Sequence, residues 1–83
     1  MRKMILAIDI GNTNIVLGCI DDEKTIFTER LSTIKTKMEI EYAMDIKVIL
    51  DIHGIRAEEI EGTIISSVVP QITNVVKDAC EKI

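Results

Sequence analysis

The sequence predicts an α/β domain in the order βββαβα, built on a mixed sheet with strands 1–3 antiparallel and strand 4 parallel to strand 1. Three observations lead there. Two apolar runs flank a short Gly-Asn-Thr turn, a helix-start signature opens a stretch with apolar residues at helical spacing, and a third apolar run is closed by a proline. The first pattern is that of a hairpin, the second of an amphipathic helix, and the third of a strand leading into a helix whose first turn tolerates proline.

Met4 to Ile10 is nearly continuous in apolar residues, as in a strand covered on both faces in mid-sheet. Asn14 to Ile20 repeats that character, and Gly11-Asn12-Thr13 tolerates or requires unusual backbone angles, so the two runs form an antiparallel hairpin with its tip at Gly11-Asn12. Asp21-Asp22-Glu23-Lys24 is a second polar turn. Thr25 to Ser32 is a third strand, placed toward a sheet edge by Glu29 and Arg30.

Thr36-Lys37-Met38-Glu39 fits a capping box, so a helix is expected to begin near Lys37. Ala43, Ile46, Ile49 and Leu50 recur at helical spacing, and Gly54 after His53 supplies a stop. His53 reads as a last-turn residue complementing the helix dipole rather than as a catalytic group. A polar connection, Ile55 to Glu61, accommodates a short helical turn around Ala57 to Ile60. Gly62 opens a fourth strand, Thr63 to Ser67, and Pro70 begins a second helix with Ile72, Val75, Val76, Ala79, Cys80 and Ile83 on one face. A right-handed crossover carries the chain to a strand beside the first. If strands 1 and 2 are apolar on both faces, helices must cover both sides. Two helices do that only thinly, and nothing is left to flank strand 4, so the domain reads as unfinished.

Composition narrows the function classes. Eighty-three residues, 47% hydrophobic and 29% charged, make one globular domain or a piece of a larger one. With one Tyr, one Phe and no Trp the core must be aliphatic. A formal charge of -4 argues against a nucleic-acid surface, which needs clustered Lys and Arg, and Lys35 and Lys37 read as solvated loop residues. Cys19 and Cys80 have no CxxC spacing and no nearby His, the pattern of two buried thiols rather than of zinc ligands or a disulfide framework. Arg2 and Lys3 before Met4 to Ile8 mimic the start of a signal peptide, but Asp9 cuts the apolar run and no A-x-A site follows. The uncharged run from Gly62 to Val76 contains Pro70 and falls short of the ~18 residues of a membrane span. A soluble cytoplasmic protein with neither nucleic acid nor membrane as a partner is expected.

The informative segment is Ile8-Asp9-Ile10-Gly11-Asn12-Thr13-Asn14. A carboxylate at the end of an apolar strand is costly unless a cation or hydrogen-bond donors meet it. Gly11 lets the turn approach a bound group closely, and successive amides at a tight turn can form a concave anion site. The Thr13 hydroxyl and the amides of Asn12 and Asn14 suit phosphate oxygens, and Asp9 suits Mg2+, held directly or through water. The same residues also make an ordinary hairpin turn in which Asp9 accepts bonds from turn amides. Neither a G-x-x-x-x-G-K-[ST] nor a G-x-G-x-x-G loop is present.

A wider pattern decides between these. Ile8 to Val16 (IDIGNTNIV), Arg30 to Thr33 (RLST) and Ile64 to Thr73 (IISSVVPQIT) together resemble the N-terminal part of type III pantothenate kinases, and the resemblance runs through essentially the whole chain. That family is similar to the actin-like, sugar-kinase-like ATPases, so the resemblance implies a portion of a ribonuclease H-like fold: residues 1–83 as the N-terminal part of the first domain, with a second domain absent from this chain. It implies transfer of the ATP γ-phosphate to the hydroxyl of pantothenate, giving 4'-phosphopantothenate, the first step toward coenzyme A. Asp9, Ile10, Gly11, Asn12, Thr13, Asn14, Ile15 and Val16 match the family's first phosphate loop, with Asp9 toward Mg2+ and Gly11, Asn12 and Thr13 toward the phosphates. Ser66 and Ser67 are either cleft-lining residues or a strand end whose hydroxyls cap the next helix. A monovalent cation, K+ or NH4+, and a homodimer are also implied.

Two departures qualify the match. Where family members carry T-x-D-E-[YF], this chain has Thr36-Lys37-Met38-Glu39-Ile40-Glu41-Tyr42, which keeps the Thr, an acid and the Tyr and alters the middle. In the family the second phosphate motif, the catalytic base, the pantothenate pocket and the cation site lie beyond the position of Ile83, so no catalytic residue is assigned here and the 83 residues alone are expected to be inactive. Competing classes are a non-catalytic regulatory paralogue of the same fold and a small α/β interaction module that buries the open edge of strand 4 in a dimer.

Overall fold

Side-chain alternation along a strand decides which face of the sheet each residue serves, and here it sets the faces of Asp9, Val16 and Ser66. The computed structural model describes residues 3–22 and 24–83. Among them run β1 (Met4–Ile10), β2 (Asn14–Asp21), β3 (Lys24–Ser32), α1 (Glu39–Ile52), β4 (Ile60–Ser67) and α2 (Pro70–Glu81), with a 3-10 turn at Ala57–Glu59 leading into β4. The sheet order is β3-β2-β1-β4; β1 is antiparallel to β2, β2 to β3, and β4 is parallel to β1. Order and orientation agree with the expected βββαβα meander and crossover. Both β3 and β4 are edge strands.

The expectation of helices on both faces is corrected. Met4, Leu6, Ile8 and Ile10 of β1, Ile15, Leu17 and Cys19 of β2 and Phe27 of β3 form one buried cluster with Tyr42, Ala43, Ile46, Ile49 and Leu50 of α1 and Ile72, Val76 and Ala79 of α2. Both helices therefore lie on a single face. Each large aliphatic side chain buried there contributes about 1.5–3 kcal/mol. The opposite face, with Ile5, Ala7 and Asp9 of β1 beside Ile20, Gly18 and Val16 of β2, is uncovered. An apolar run spanning a strand does not distinguish one helix layer from two, because half-exposed Ile5 and Ala7 look the same in sequence as buried residues.

Helix α1 begins later than the capping-box reading places it. Its N-cap is Met38, whose amide donates to the Glu41 carboxylate (2.9 Å), so a carboxylate satisfies the first turn without a hydroxyl partner. Lys37 is not a free loop residue: its Nζ meets Asp45 Oδ2 at 2.6 Å and lies 5.4 Å from the Tyr42 ring centre. That hydrogen bond, with the negative charge of Asp45 behind it, raises the Lys37 pKa against a smaller opposing effect of burial. The C-terminal stop is as expected. Gly54 takes φ +69°, its amide donates to Asp51 O (3.0 Å) and the Ile55 amide to Leu50 O (2.9 Å), the paired bonds of a Schellman end. His53 caps α1, stacks on Phe27 with ring centres 4.1 Å apart, and places Nε2 2.7 Å from Glu29 Oε2, tying the helix end to edge strand β3.

α2 starts at Pro70 and buries Ile72, Val76 and Ala79, with Val75, Cys80 and Ile83 partly buried against the core. α1 also carries a second apolar stripe, Ile40, Met44, Val48 and Ile52, turned to solvent. Asp22 adopts φ 46°, tolerable for Asp in a turn; the rest of that turn includes Glu23, which with Arg2 lies outside the described residues. No helix among the described residues is long and apolar enough to cross a membrane.

Neither cysteine is in a disulfide among the described residues; the Cys19 thiol is buried and donates to Met4 Sδ (3.5 Å), and Cys80 is half-buried. Burial pushes the Cys80 thiol up to about 11, with a smaller push from the Glu81 charge. Because only the thiolate attacks, the thiolate fraction near pH 8 falls by about a hundredfold relative to an unperturbed thiol. Cys80 is expected to react with Ellman's reagent at least tenfold faster in denaturant than in the folded chain; equal rates would show that the site is not buried.

Candidate functional site

The loop between β1 and β2 is anchored from below. Ile10 and Ile15 are registered partners, 0% and 2% exposed, so the hairpin is pinned into the core on both sides of the turn. Both residues are structural: they are buried whole, and the Ile10 carbonyl already accepts from the Val68 amide (3.0 Å). Between them Asn12, Thr13 and Asn14 are exposed and Gly11 is half-buried.

The turn is not built on left-handed residues as its Gly-Asn sequence suggests. Among the described residues only Asp22 and Gly54 have positive φ. The Gly11 amide instead donates to Asn14 O (2.9 Å), and a Cβ at position 11 would stand 3.1 Å from that same oxygen. Glycine is favoured here by close approach rather than by dihedral angle, since a Cβ would crowd that oxygen.

Across this loop lies a residue that the sequence reading quotes only as part of RLST. The Thr33 hydroxyl donates to Gly11 O (2.7 Å) and the Thr33 amide to Thr13 O (2.9 Å). The next residue is held from the core: the Tyr42 hydroxyl donates to Ile34 O (2.8 Å) and accepts from the Ile34 amide (2.9 Å), with Tyr42 1% exposed. Thr36 to Tyr42 thus does more than start a helix, since Tyr42 fastens the segment that crosses the loop. A tyrosine in a stripe that is otherwise aliphatic was the available signal, because a buried hydroxyl must find partners.

Asp9 is exposed, not buried at a strand end. Its strand position gives it the open face, where register aligns Ser66 of β4, Asp9, Val16 of β2 and Arg30 of β3 in one row. Asp9, Val16 and Ser66 line a shallow groove of about 280 Å³ over that face, floored by Ala7, Gly18, Ile20 and Ile64. The desolvation cost that made Asp9 conspicuous in sequence is therefore not incurred; alternation places the carboxylate in solvent at the rim of the turn.

The two serines separate. Ser67 is occupied: the Val69 amide donates to its Oγ (3.0 Å) and the Thr73 hydroxyl lies 2.8 Å away, so it caps the approach to α2. Ser66 is exposed beside Asp9. The Val68 amide donates to Ile10 O (3.0 Å), joining the start of α2 to the base of the loop.

No cluster of three or more metal-ligating side chains exists among the described residues. A single accessible carboxylate, Asp9, fits Mg2+ in the mode where water and phosphate oxygens supply most ligands, and does not fit an all-protein cage.

An accessible carboxylate and a tethered Gly-Asn-Thr turn thus stand together at the end of β1, an inner strand of a mixed α/β sheet. Residues 5–83 match the model of the family described as type III pantothenate kinase. Similar proteins bearing that name come from Halalkalibacterium halodurans, 44% identical over 95% of this chain and 31% of its own length, and from an Exiguobacterium species, 48% identical over 83% and 27%. A third, from Finegoldia magna, is 39% identical over 99% of this chain and 31% of its own. The chain belongs to the type III pantothenate kinase family, and it spans about 31% of the length of the first of these relatives.

Replacing Ser67 with Ala is expected to cost about 1 kcal/mol of stability, the usual net effect of losing a part-buried hydrogen bond, while Ser66→Ala stays within about 0.5 kcal/mol. Urea denaturation of the two variants measures this, and equal losses would show that the Ser67 bonds to Val69 and Thr73 do not stabilise the fold.

Proposed function

We propose that this chain is the N-terminal portion of an ATP-dependent pantothenate kinase and supplies its first phosphate-binding loop. One observation carries the reading: Asp9 stands exposed at the end of β1, directly beside a loop held at Gly11 and Thr13 by Thr33. The Asn12 and Asn14 amides and the Thr13 hydroxyl are donors for phosphate oxygens. Asp9 is the group for Mg2+, which when bound would neutralise charge on the phosphates. Ser66 lines the same cleft.

Phosphoryl transfer depends on holding donor, metal and acceptor together, and a single loop provides only part of the donor site. The pantothenate pocket, the catalytic base and the site for K+ or NH4+ belong, in this reading, to a larger protein of the relatives' length, acting as a homodimer in the cytoplasm, where ATP is supplied. This chain would then form the first part of an actin-like ATPase domain. A second reading, a dimerising interaction module, is favoured by the open edge of β4. Light scattering at two concentrations separates them, since a module of that kind gives one defined dimer.

Titration with MgATP is expected to show binding to this chain and at least tenfold weaker binding to Asp9→Ala, the scale of losing a charged partner. Equal affinities would remove Asp9 from the site. In a coupled ADP-release assay with pantothenate the 83 residues are expected to give no turnover, and measurable turnover would overturn the assignment of a partial donor site.

A further inference from the structure

We infer that Thr33 is the positioning residue of the phosphate loop. The inference rests on the nucleotide-binding reading above and adds to it the part that sets the loop's geometry. Thr33 holds two carbonyls of the turn, Gly11 O through its hydroxyl at 2.7 Å and Thr13 O through its amide at 2.9 Å. Peptide units are planar, and none among the described residues is cis. In a trans unit the C=O of one residue and the N–H of the next point in opposite directions. Turning the Gly11 and Thr13 carbonyls toward Thr33 therefore turns the Asn12 and Asn14 amides away from it. These are the two backbone donors that the loop offers to an anion. One residue on the segment after β3 thus decides which way the β1–β2 turn presents its amides, its hydroxyl setting that of Asn12 and its backbone amide that of Asn14.

The latch is itself fixed. Ile34 is gripped at both its backbone groups by the buried Tyr42 hydroxyl, at 2.9 and 2.8 Å, so Thr33 cannot drift from the loop without breaking that pair. The loop, for its part, resists movement on its other side through the Gly11 amide bond to Asn14 O. A loop prepared in this way loses little freedom when an anion binds, which is the advantage of preorganisation.

The test compares the wild-type chain with Thr33→Val, which keeps the shape and the amide but removes the hydroxyl, and Thr33→Ser, which keeps the hydroxyl. Two quantities are read: amide hydrogen exchange at Gly11, and affinity for MgATP. Thr33→Val is expected to exchange the Gly11 amide at least fivefold faster and to bind MgATP about tenfold more weakly, the usual effect of one lost hydrogen bond. Thr33→Ser is expected to restore both, with α1 amides unchanged throughout. Unchanged Gly11 exchange in Thr33→Val overturns the latch. Faster exchange with undiminished MgATP affinity overturns its positioning role. Absence of MgATP binding by the wild-type chain overturns the nucleotide reading instead, and the exchange measurement then still decides whether Thr33 closes the loop.

Discussion

The structure depends on the burial of Ile10 and Ile15 as a registered pair beneath the β1–β2 turn. With side chains alternating, anchoring these two residues inward forces Asp9 and Val16 outward, and a slip of one residue would bury the carboxylate and expose the isoleucines. The several kcal/mol at stake in two buried isoleucines makes that slip unfavourable. The loop is thus presented at the end of the central strand by core packing, without any special affinity of its own residues for the position.

Around that anchor the chain builds two straps between helix and sheet. One runs from Tyr42 through Ile34 and Thr33 to the carbonyls of Gly11 and Thr13. The other runs from His53, capping α1, to Phe27 and Glu29 on β3. Both join α1 to the hairpin side of the sheet, while the Val68 amide bond to Ile10 O joins the β4 side. Strands with few side chains between them and solvent are held by polar contacts at their ends, where water would otherwise compete for the same backbone groups.

The uncovered face and the outer stripe of α1 belong to the same picture. Ile40, Met44, Val48 and Ile52 repeat every fourth residue on the side of α1 opposite Tyr42, Ile46, Ile49 and Leu50. Helix and sheet alike are therefore apolar on a second side, an arrangement in keeping with a chain that spans about 31% of the length of a family relative. Such surfaces are expected where further chain or partner packs, since isolated domains seldom expose continuous apolar area.

Local information was enough for much of this. The β1 boundaries, the start of α2 at Pro70, the Gly54 stop and the edge position of β3 were all legible, because each is set by neighbouring residue types: an apolar run, a ring that fixes φ, a missing Cβ, a charged strand. The motifs around Asp9, Arg30 and Ser66 were equally visible as letters. What only tertiary structure decided was how they meet. Register brought Asp9, Val16, Ser66 and Arg30 into one row on an open face, and it turned Ser67 toward α2 instead. The choice of one covered face over two, and the contact of Thr33 with a turn 22 residues away, depend on packing between segments distant in the chain. No local pattern encodes such distances, since the same residues in the same order satisfy either arrangement until the helices dock.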